Sequence, residues 1–247
     1  MRRFFLTTPL TPNISIKGED AHHISRVLRL PVGEQIRVVA PDGQIGIAEI
    51  TGIAAGIISL VLRQQIEEDT EPPVKVALGQ GLPKGDKMEY IVQKAVELGV
   101  NQIYPMKVAH CVVQYDASKQ IARRERWQKI AGEAAKQCGR SQVSVVAPIQ
   151  SLAEIVSNQE EGTIVIMLYE GQTPLGLKQI LTHFQGSSYL LLIGPEGGFS
   201  AEEVDFCQQR GAHIVTMGPR ILRTETAAVA ALSIVLYECG DLGTMET

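Results

Sequence analysis

"YLLLIGPEGGFSAEE", residues 189 to 203, carries an apolar run straight into Gly194, Pro195, Glu196, Gly197 and Gly198 before a helix opens at Ser200. A short continuous apolar run bounded by glycine and proline reads as a strand buried on both faces, as in a parallel sheet covered by helices. Ligands in that architecture bind beyond the carboxyl ends of the strands, where this elbow lies. A phosphate suits it poorly. A P-loop carries Lys and then Ser or Thr after its last glycine, whereas Phe199 and Ser200 stand here, and Glu196 would repel an anion. Ser200 and Glu203 spell S-x-x-E, a capping box, so part of the stretch serves helix initiation.

The same alternation fills the chain from residue 73 onward. "VKVALGQGL" reads as a strand, and "KMEYIVQKAVELGV" as a helix with Met88, Ile91, Val92, Ala95 and Leu98 on one stripe, ended by Gly99. Then follow "NQIYPMKV", a long basic helix around 120 to 138, "SLAEIVSN", the strand "TIVIML" and the helix "GLKQILTHF". Beyond the elbow come "SAEEVDFCQQRG", the strand "HIVTMG" and a last helix, "TETAAVAALSIVLYEC". Strand and helix in alternation predict an α/β domain with a parallel sheet covered on both faces.

Residues 34 to 65 differ, with short Val/Ile/Leu bursts broken by "PDG" and by glycine. That pattern predicts an antiparallel β unit, interrupted by one short helix, "EDAHHISRVLRL". The charged segment "EEDTEPP", 67 to 73, closes on two prolines and reads as a linker, so the expected domains are 1–72 and 73–247.

The chain has 247 residues, 45% apolar and 20% charged, an ordinary globular composition. "MRRFFLTTPLTPNISIKG" has too short an apolar run for a signal peptide, and no window suits a membrane span. Cys111, Cys138, Cys207 and Cys239 lie far apart without ligand spacing, which argues against a metal site or disulfide framework and for a reducing, cytoplasmic setting. The net charge of −4 is unevenly spread: Lys119 to Arg140 holds seven basic residues against two acids. The first 37 residues hold six against three. Either patch alone could be a solvated surface; together they lean toward a polyanionic partner.

Two further glycine loops follow strands. "VALGQGLPKGD" superficially resembles a dinucleotide fingerprint, but its spacing is wrong, Pro83 lies inside it, and no acid closes the next strand. "MGPRILRTETAAVAALSIVLY", 217 to 237, repeats the elbow's chemistry: a strand ending in Gly-Pro, now followed by Arg220 and Arg223 and a helix opening at Thr224. Two Gly-Pro corners on two successive strands would set two ordered loops side by side. Such loops can bind a flat adenine through main-chain groups, with Glu196 available to a cationic or hydroxyl-bearing ligand.

"IGPEGGFSAEE" with "MGPRILRTETAA" resembles the RsmE family in the SPOUT class of RNA methyltransferases. "MRRFF", "HHISRVLRLPVGEQI", "KGDKMEYIVQKAVELGV" and "ERWQKIAGEAAKQCGRS" extend the resemblance over essentially the full length; Met217 departs from the family's more usual Leu. The resemblance implies a small N-terminal PUA-like β-barrel domain and a C-terminal SPOUT-type α/β domain with a trefoil knot. It implies S-adenosyl-L-methionine as cofactor and methylation of N3 of a uridine in 16S ribosomal RNA, near the decoding region. The partner would be 16S RNA or the small ribosomal subunit, with no metal or membrane.

On that reading the knot loops, 168 to 172, 193 to 198 and 217 to 222, hold the cofactor. Leu168 and Glu170 supply the first; Ile193, Gly194, Pro195, Glu196, Gly197 and Gly198 the second; Met217, Gly218, Ile221, Leu222 and Thr224 the third. Removing the N3 proton and stabilising the resulting anion are the remaining tasks. Arg223 and Arg220 are candidates for the stabilisation and Glu225 for the base, against the alternative that the arginines simply pair with Glu196 or Glu225. RNA would be held by Arg2, Arg3, Arg26 and Arg29 and by Lys136 and Arg140. His22 and His23 read as half-buried helix residues, Phe4 and Phe5 as barrel core. The last helix is apolar nearly all round and must be buried, in a homodimer as the resemblance implies or in a monomer's core. Two rival functions stay open: an RNA-binding ribosome-assembly factor without chemistry, and a nucleotide-dependent oxidoreductase built on "LGQGLPKG".

Overall fold

The computed structural model describes residues 1–171 and 175–243 and divides the chain into two compact units. The first comprises Met1–Glu71 and Ala135–Gln142; the second comprises Pro72–Ala134 and Val143 onward. Residues 135–142, which the sequence reads into the second domain, therefore group with the first.

In the first unit a five-stranded sheet runs in the order β1 (Arg3–Phe5), β3 (Gln35–Val39), β4 (Ile45–Ala54), β5 (Ile57–Ile66), β2 (Asn13–Ile16). All pairs are antiparallel except β1 with β3, a strand pairing that the alternating text did not foretell. The "PDG" turn joins β3 to β4, with Gly43 at φ +84° and Asp42 Oδ1 accepting from the Gln44 amide at 3.2 Å. Two register shifts between β4 and β5 are bulges, which bend a strand. Phe4 and Leu6 from one edge and Ile14 and Ile16 from the other meet Ile36, Val38, Ile50 and Leu60 in one core. Phe4 is thus core, as read; Phe5 is half-buried. The short helix is α1 (Gly18–His22) followed by a π-helical turn, His23–Val27, and Arg29 beyond it holds φ +50°. His22 and His23 are exposed rather than half-buried.

The expected linker is an ordered part of this unit. Glu68 pairs with Arg3 at 3.2 Å and Arg37 at 3.1 Å. Glu71 accepts from Arg140 Nε at 3.0 Å, the Ser141 amide at 2.9 Å and the Gln142 amide at 3.0 Å. A carboxylate with that many donors is fixed, so the acidic run ties the chain leaving the sheet to residues 139–142.

The second unit is a seven-stranded parallel sheet, β12 (His213–Val215), β10 (Ile164–Leu168), β11 (Ser188–Ile193), β6 (Lys75–Gly81), β7 (Gln102–Lys107), β8 (Val145–Val146), with β9 (Gln150–Ser151) also on β7. The two-residue strands β8 and β9 are too short to leave a periodic signal. Leu190 and Leu192 pack with Met167, Val165, Phe199 and Cys207 on one face, against α4 (Leu152–Ser157) and α6 (Ala201–Gln209). α7 (Thr224–Glu238) covers β6 and β11 from the other side and lies on α2 (Lys87–Glu97). The α2 stripe is buried at Met88, Ile91, Val92 and Ala95; Leu98, the C-cap, is half-buried. No helix among the described residues is long and apolar enough to cross a membrane.

Within the single chain α7 is only partly buried. Ala228, Ala231, Leu232, Val235 and Leu236 are enclosed, but Ile234 and Tyr237 are exposed. One face of an apolar helix is left open within the single chain.

Candidate functional site

Strand order decides where the loops meet. β11 and β12, which carry the two Gly-Pro corners, are not neighbours: β10 lies between them. The loop after β10 therefore enters the site between the two corners, and three loops rather than two converge. They enclose a cavity of about 400 Å³, lined by Leu168 to Glu170, Ile193 to Glu196 with Gly198 and Phe199, Thr216 to Thr224, and also Lys87 and Ala227. Of the expected cofactor loops, only the tip at Gln172 lies outside the described residues.

The corners are held at hydrogen-bonding distance by one hydroxyl. Thr224 Oγ1, on the first turn of α7, donates to the Gly194 carbonyl at 2.6 Å and accepts from Gln80 Nε2 at 2.8 Å. Gln80 is fully buried at the end of β6, so the third loop is bound back across the sheet to its central strands. Close approach explains the "GQG" glycines without any nucleotide: a Cβ on Gly79 would meet Leu192 Cδ2 at 2.7 Å, and one on Gly81 would meet Pro195 Cδ at 2.5 Å and Pro195 N at 2.6 Å. Gly198 closes the elbow's turn at φ +67°, its amide on the Pro195 carbonyl at 3.0 Å. The Ser200–Glu203 capping box forms as read, and Glu203 Oε1 also accepts from the Ala109 amide at 2.8 Å.

Charge is arranged differently from the sequence expectation. Glu196 is neutralised by Lys87, not by an arginine: Lys87 Nζ lies 2.8 Å from its Oε1, and the Lys84 amide donates to it at 3.2 Å. Burial pushes the Glu196 carboxyl up, but the Lys87 and main-chain hydrogen bonds outweigh it, and the net pKa lies below the ordinary carboxylate value. The Glu196 hydrogen bond raises Lys87 above its ordinary value. Lys87 Nζ also lies 3.3 Å from Glu225 Oε2, an ion-pair distance without hydrogen-bond geometry. Arg220 and Arg223 line the cavity and are exposed, and no ion pair involves either among the described residues.

Two expected site residues do not line the cavity. Gly197 packs instead against His110: its carbonyl lies 2.8 Å from His110 Nδ1, and a Cβ there would meet His110 Cβ at 2.8 Å. Glu225 is not among the lining residues; its Oε2 lies 3.3 Å from Lys87 Nζ. Tyr169 and Pro219, inside the expected loops, line it too, and Lys87, Phe199, Thr216 and Ala227 line it from outside them. Phe199 had a legible signal, since it adjoins a named loop residue; Lys87 had none, because its partner is 109 positions away.

Three of the six residues expected to hold RNA are engaged in ion pairs within the first unit. Arg3 is 6% exposed, its guanidinium on Glu68 and the Gly139 carbonyl, and Arg140 is 4% exposed on Glu71. Lys136 Nζ pairs with Asp20 at 2.7 Å. Arg3 and Arg140 are thereby corrected from RNA contacts to buried ion pairs, and Lys136 is engaged by Asp20. Arg2, Arg26 and Arg29 remain exposed.

The chain matches the model of an RNA methyltransferase domain over residues 70–236 and that of an RNA methyltransferase PUA domain over residues 16–63. Fold and site thus define an RNA methyltransferase with an attached PUA domain. Ribosomal RNA small subunit methyltransferase E of Bacillus subtilis is 36% identical, the alignment covering 96% of this chain and 97% of that protein. The protein of that name from Mycobacterium tuberculosis is 30% identical over 93% of this chain and 88% of its own. A crystal structure of ribosomal RNA small subunit methyltransferase E from Neisseria gonorrhoeae, bound to S-adenosyl methionine, superposes with a TM-score of 0.88 at 30% identity, covering 96% of this chain and 97% of that one. The chain belongs to the ribosomal RNA small subunit methyltransferase E family.

Proposed function

We propose that this protein methylates N3 of a uridine in 16S ribosomal RNA, near the decoding region, with S-adenosyl-L-methionine as methyl donor. The observation that carries the reading is the cavity at the convergence of three sheet-end loops, walled by main chain and apolar side chains, with two arginines on its rim that have no ion pair among the described residues. Its volume of about 400 Å³ suits a small cofactor, within the roughly 300–1,000 Å³ usual for such pockets.

The residues present fit that donor. Leu168, Ile193, Phe199, Met217 and Leu222 offer apolar walls to a flat adenine, and the Gly194–Gly198 elbow offers main-chain groups. Glu196, matched by Lys87, leaves the cradle near neutral, so a cation is neither trapped nor expelled. When bound, S-adenosyl-L-methionine supplies a methyl group on a sulfonium sulfur. The chain's own part is positional and electrostatic. The loops fix the reacting geometry and exclude water, which can contribute several kcal/mol. As N3 loses its proton, Arg220 and Arg223 stabilise the negative charge spread over N3, O2 and O4. Glu225 positions Lys87 rather than taking the proton.

Arg2, Arg26 and Arg29 hold RNA phosphates through the first unit, and the open face of α7, with Ile234 and Tyr237, is where two copies join as a homodimer. The return of residues 217–224 across the sheet ends to Gly194 and Gln80 supports a SPOUT-type trefoil knot. The setting is cytoplasmic, as ribosome modification requires. Mass spectrometry of small-subunit RNA from cells lacking the protein tests the whole reading: one N3-methyluridine should be missing and should return with the wild-type gene. An unchanged methylation pattern, with RNA binding retained, would leave the assembly-factor reading in its place.

A further inference from the structure

Ile221 is 79% exposed, the most exposed of the large apolar side chains among the described residues, yet it stands on the rim of the cavity. Its loop is not loose. Thr216 Oγ1 accepts from the Gly218 amide at 3.2 Å and donates to the Gly218 carbonyl at 3.1 Å, which fixes the entry. Thr224 fixes the exit through Gly194 and Gln80. Leu222 beside it is half-buried, so the loop is anchored and presents Ile221 outward by construction.

The neighbours of Ile221 narrow what covers it. Arg220 immediately precedes it and Arg223 follows two positions on, both exposed and without an ion pair among the described residues. The occupant must carry or develop negative charge toward the arginines, be flat and apolar where it meets Ile221, and offer an edge atom to the cavity. A single uridine held out of its strand has that chemistry: a π-face for Ile221 and a pairing edge that becomes anionic toward the arginines as N3 loses its proton.

We infer that Ile221 packs on the face of the target base and holds that nucleotide unstacked at the cavity mouth, where Arg220 and Arg223 meet the charge that develops on its pairing edge. N3 lies on the pairing edge of uracil, so a paired uridine hides the atom that must be reached. An apolar side chain on the base face keeps that edge free, whereas a polar one would compete for it. The inference rests on the methyltransferase reading above and moves Ile221, which the sequence suggests for the cofactor, to the base, since its side chain is 79% exposed.

The test uses full-length protein and small ribosomal subunits from cells lacking it, with tritiated methyl donor. Ile221→Ala should lower kcat/KM for the subunits by about tenfold or more, the scale of removing one side chain that packs on a base. Donor affinity by calorimetry and sedimentation behaviour should stay within about twofold of wild type. Ile221→Met should restore most of the rate, since it keeps an apolar side chain of similar volume. A 2-aminopurine placed beside the target in a short RNA should brighten on binding wild type and less with Ile221→Ala. Three outcomes overturn the inference: an unchanged kcat/KM in Ile221→Ala, a matching loss of donor affinity, or a fall to a smaller species in sedimentation. The last two would assign Ile221 to the cofactor or to a second copy of the chain. If wild type itself transfers no methyl group, the methyltransferase reading falls and takes the inference with it.

Discussion

Thr224 Oγ1 donates to the carbonyl of Gly194 at 2.6 Å, across 30 positions of sequence, and so joins the two Gly-Pro corners that frame the cavity. Thr224→Val keeps the shape and removes the hydroxyl, leaving the half-buried Gly194 carbonyl without that donor and the buried Gln80 Nε2 with only the Gly81 carbonyl. The expected cost is about 1–3 kcal/mol in urea unfolding of the second unit. Thr224→Ser, which restores the hydroxyl, should recover most of it. Equal stability of Thr224→Val and wild type would show that the bond does not hold the corners.

Gly81→Ala acts on the same elbow by steric clash. Its Cβ would sit 2.5 Å from Pro195 Cδ and 2.6 Å from Pro195 N, and Pro195 is ring and backbone rather than a movable side-chain tip. Overpacking of this kind costs about 1–3 kcal/mol. Because the elbow must shift, donor affinity in calorimetry should fall by about tenfold or more. Gly132→Ala, where nothing lies within 4 Å of the new Cβ, is the matched control and should leave affinity unchanged.

Arg223→Ala should separate chemistry from binding. The side chain is exposed and unpaired among the described residues, so its loss leaves no buried charge and the melting temperature should not move. If the guanidinium stabilises the uracil anion, kcat should fall by about a hundredfold, the usual scale for one such donor, with donor affinity retained. A rate within about threefold of wild type would remove Arg223 from the reaction.

The Lys87–Glu196 pair sets a pH window. Glu196 titrates below its ordinary 4.5 in the folded protein, so its contribution is complete above that value and is lost as pH falls through the folded pKa. Lys87 titrates above its ordinary 10.5, so its contribution is complete below that value and is lost as pH rises through the folded pKa. Donor affinity should be flat from about pH 6 to 9 and decline toward both extremes. Lys87→Met should lower affinity inside the window and flatten both limbs, because the carboxylate then loses its partner; two unaltered limbs would show that the pair is irrelevant to the site.

RNA binding and folding should part company among the arginines of the first unit. Replacing exposed Arg26 and Arg29 with Ala should weaken RNA binding and reduce the salt slope by about one unit for each phosphate no longer held, without changing stability. Arg140→Ala should destabilise the first unit by about 3 kcal/mol, since it empties a buried position and strips the half-buried Glu71 carboxylate of its cation. Thermal melting with filter binding in a salt series reads both.

Local order was legible from the residues. The apolar run of 189–193 forms a strand buried along its length, Ser200 and Glu203 cap the next helix, and the Met88–Ala95 stripe faces the core. These features depend on side chains within one turn or one pleat of each other, and periodicity reports that range well. The loops that build the cavity were legible too, because glycine and proline after a buried strand mark a sheet end.

Which loops touch was not. Only the folded chain sets β10 between β11 and β12, brings Lys87 to Glu196 across 109 positions, and turns Arg3 and Arg140 inward onto Glu68 and Glu71. Sequence alone determined a parallel α/β domain with glycine corners at the ends of its strands, a β domain before it, and a surplus of basic residues in two places. Tertiary structure decided strand order, the partner of every charge, and which apolar side chains stay in water. Those depend on closures over many tens of residues, from 65 positions for Arg3 and Glu68 to 109 for Lys87 and Glu196, where the energy of an interaction is set by what the fold brings opposite it and by how much water is excluded, neither of which is written in a residue's own neighbourhood.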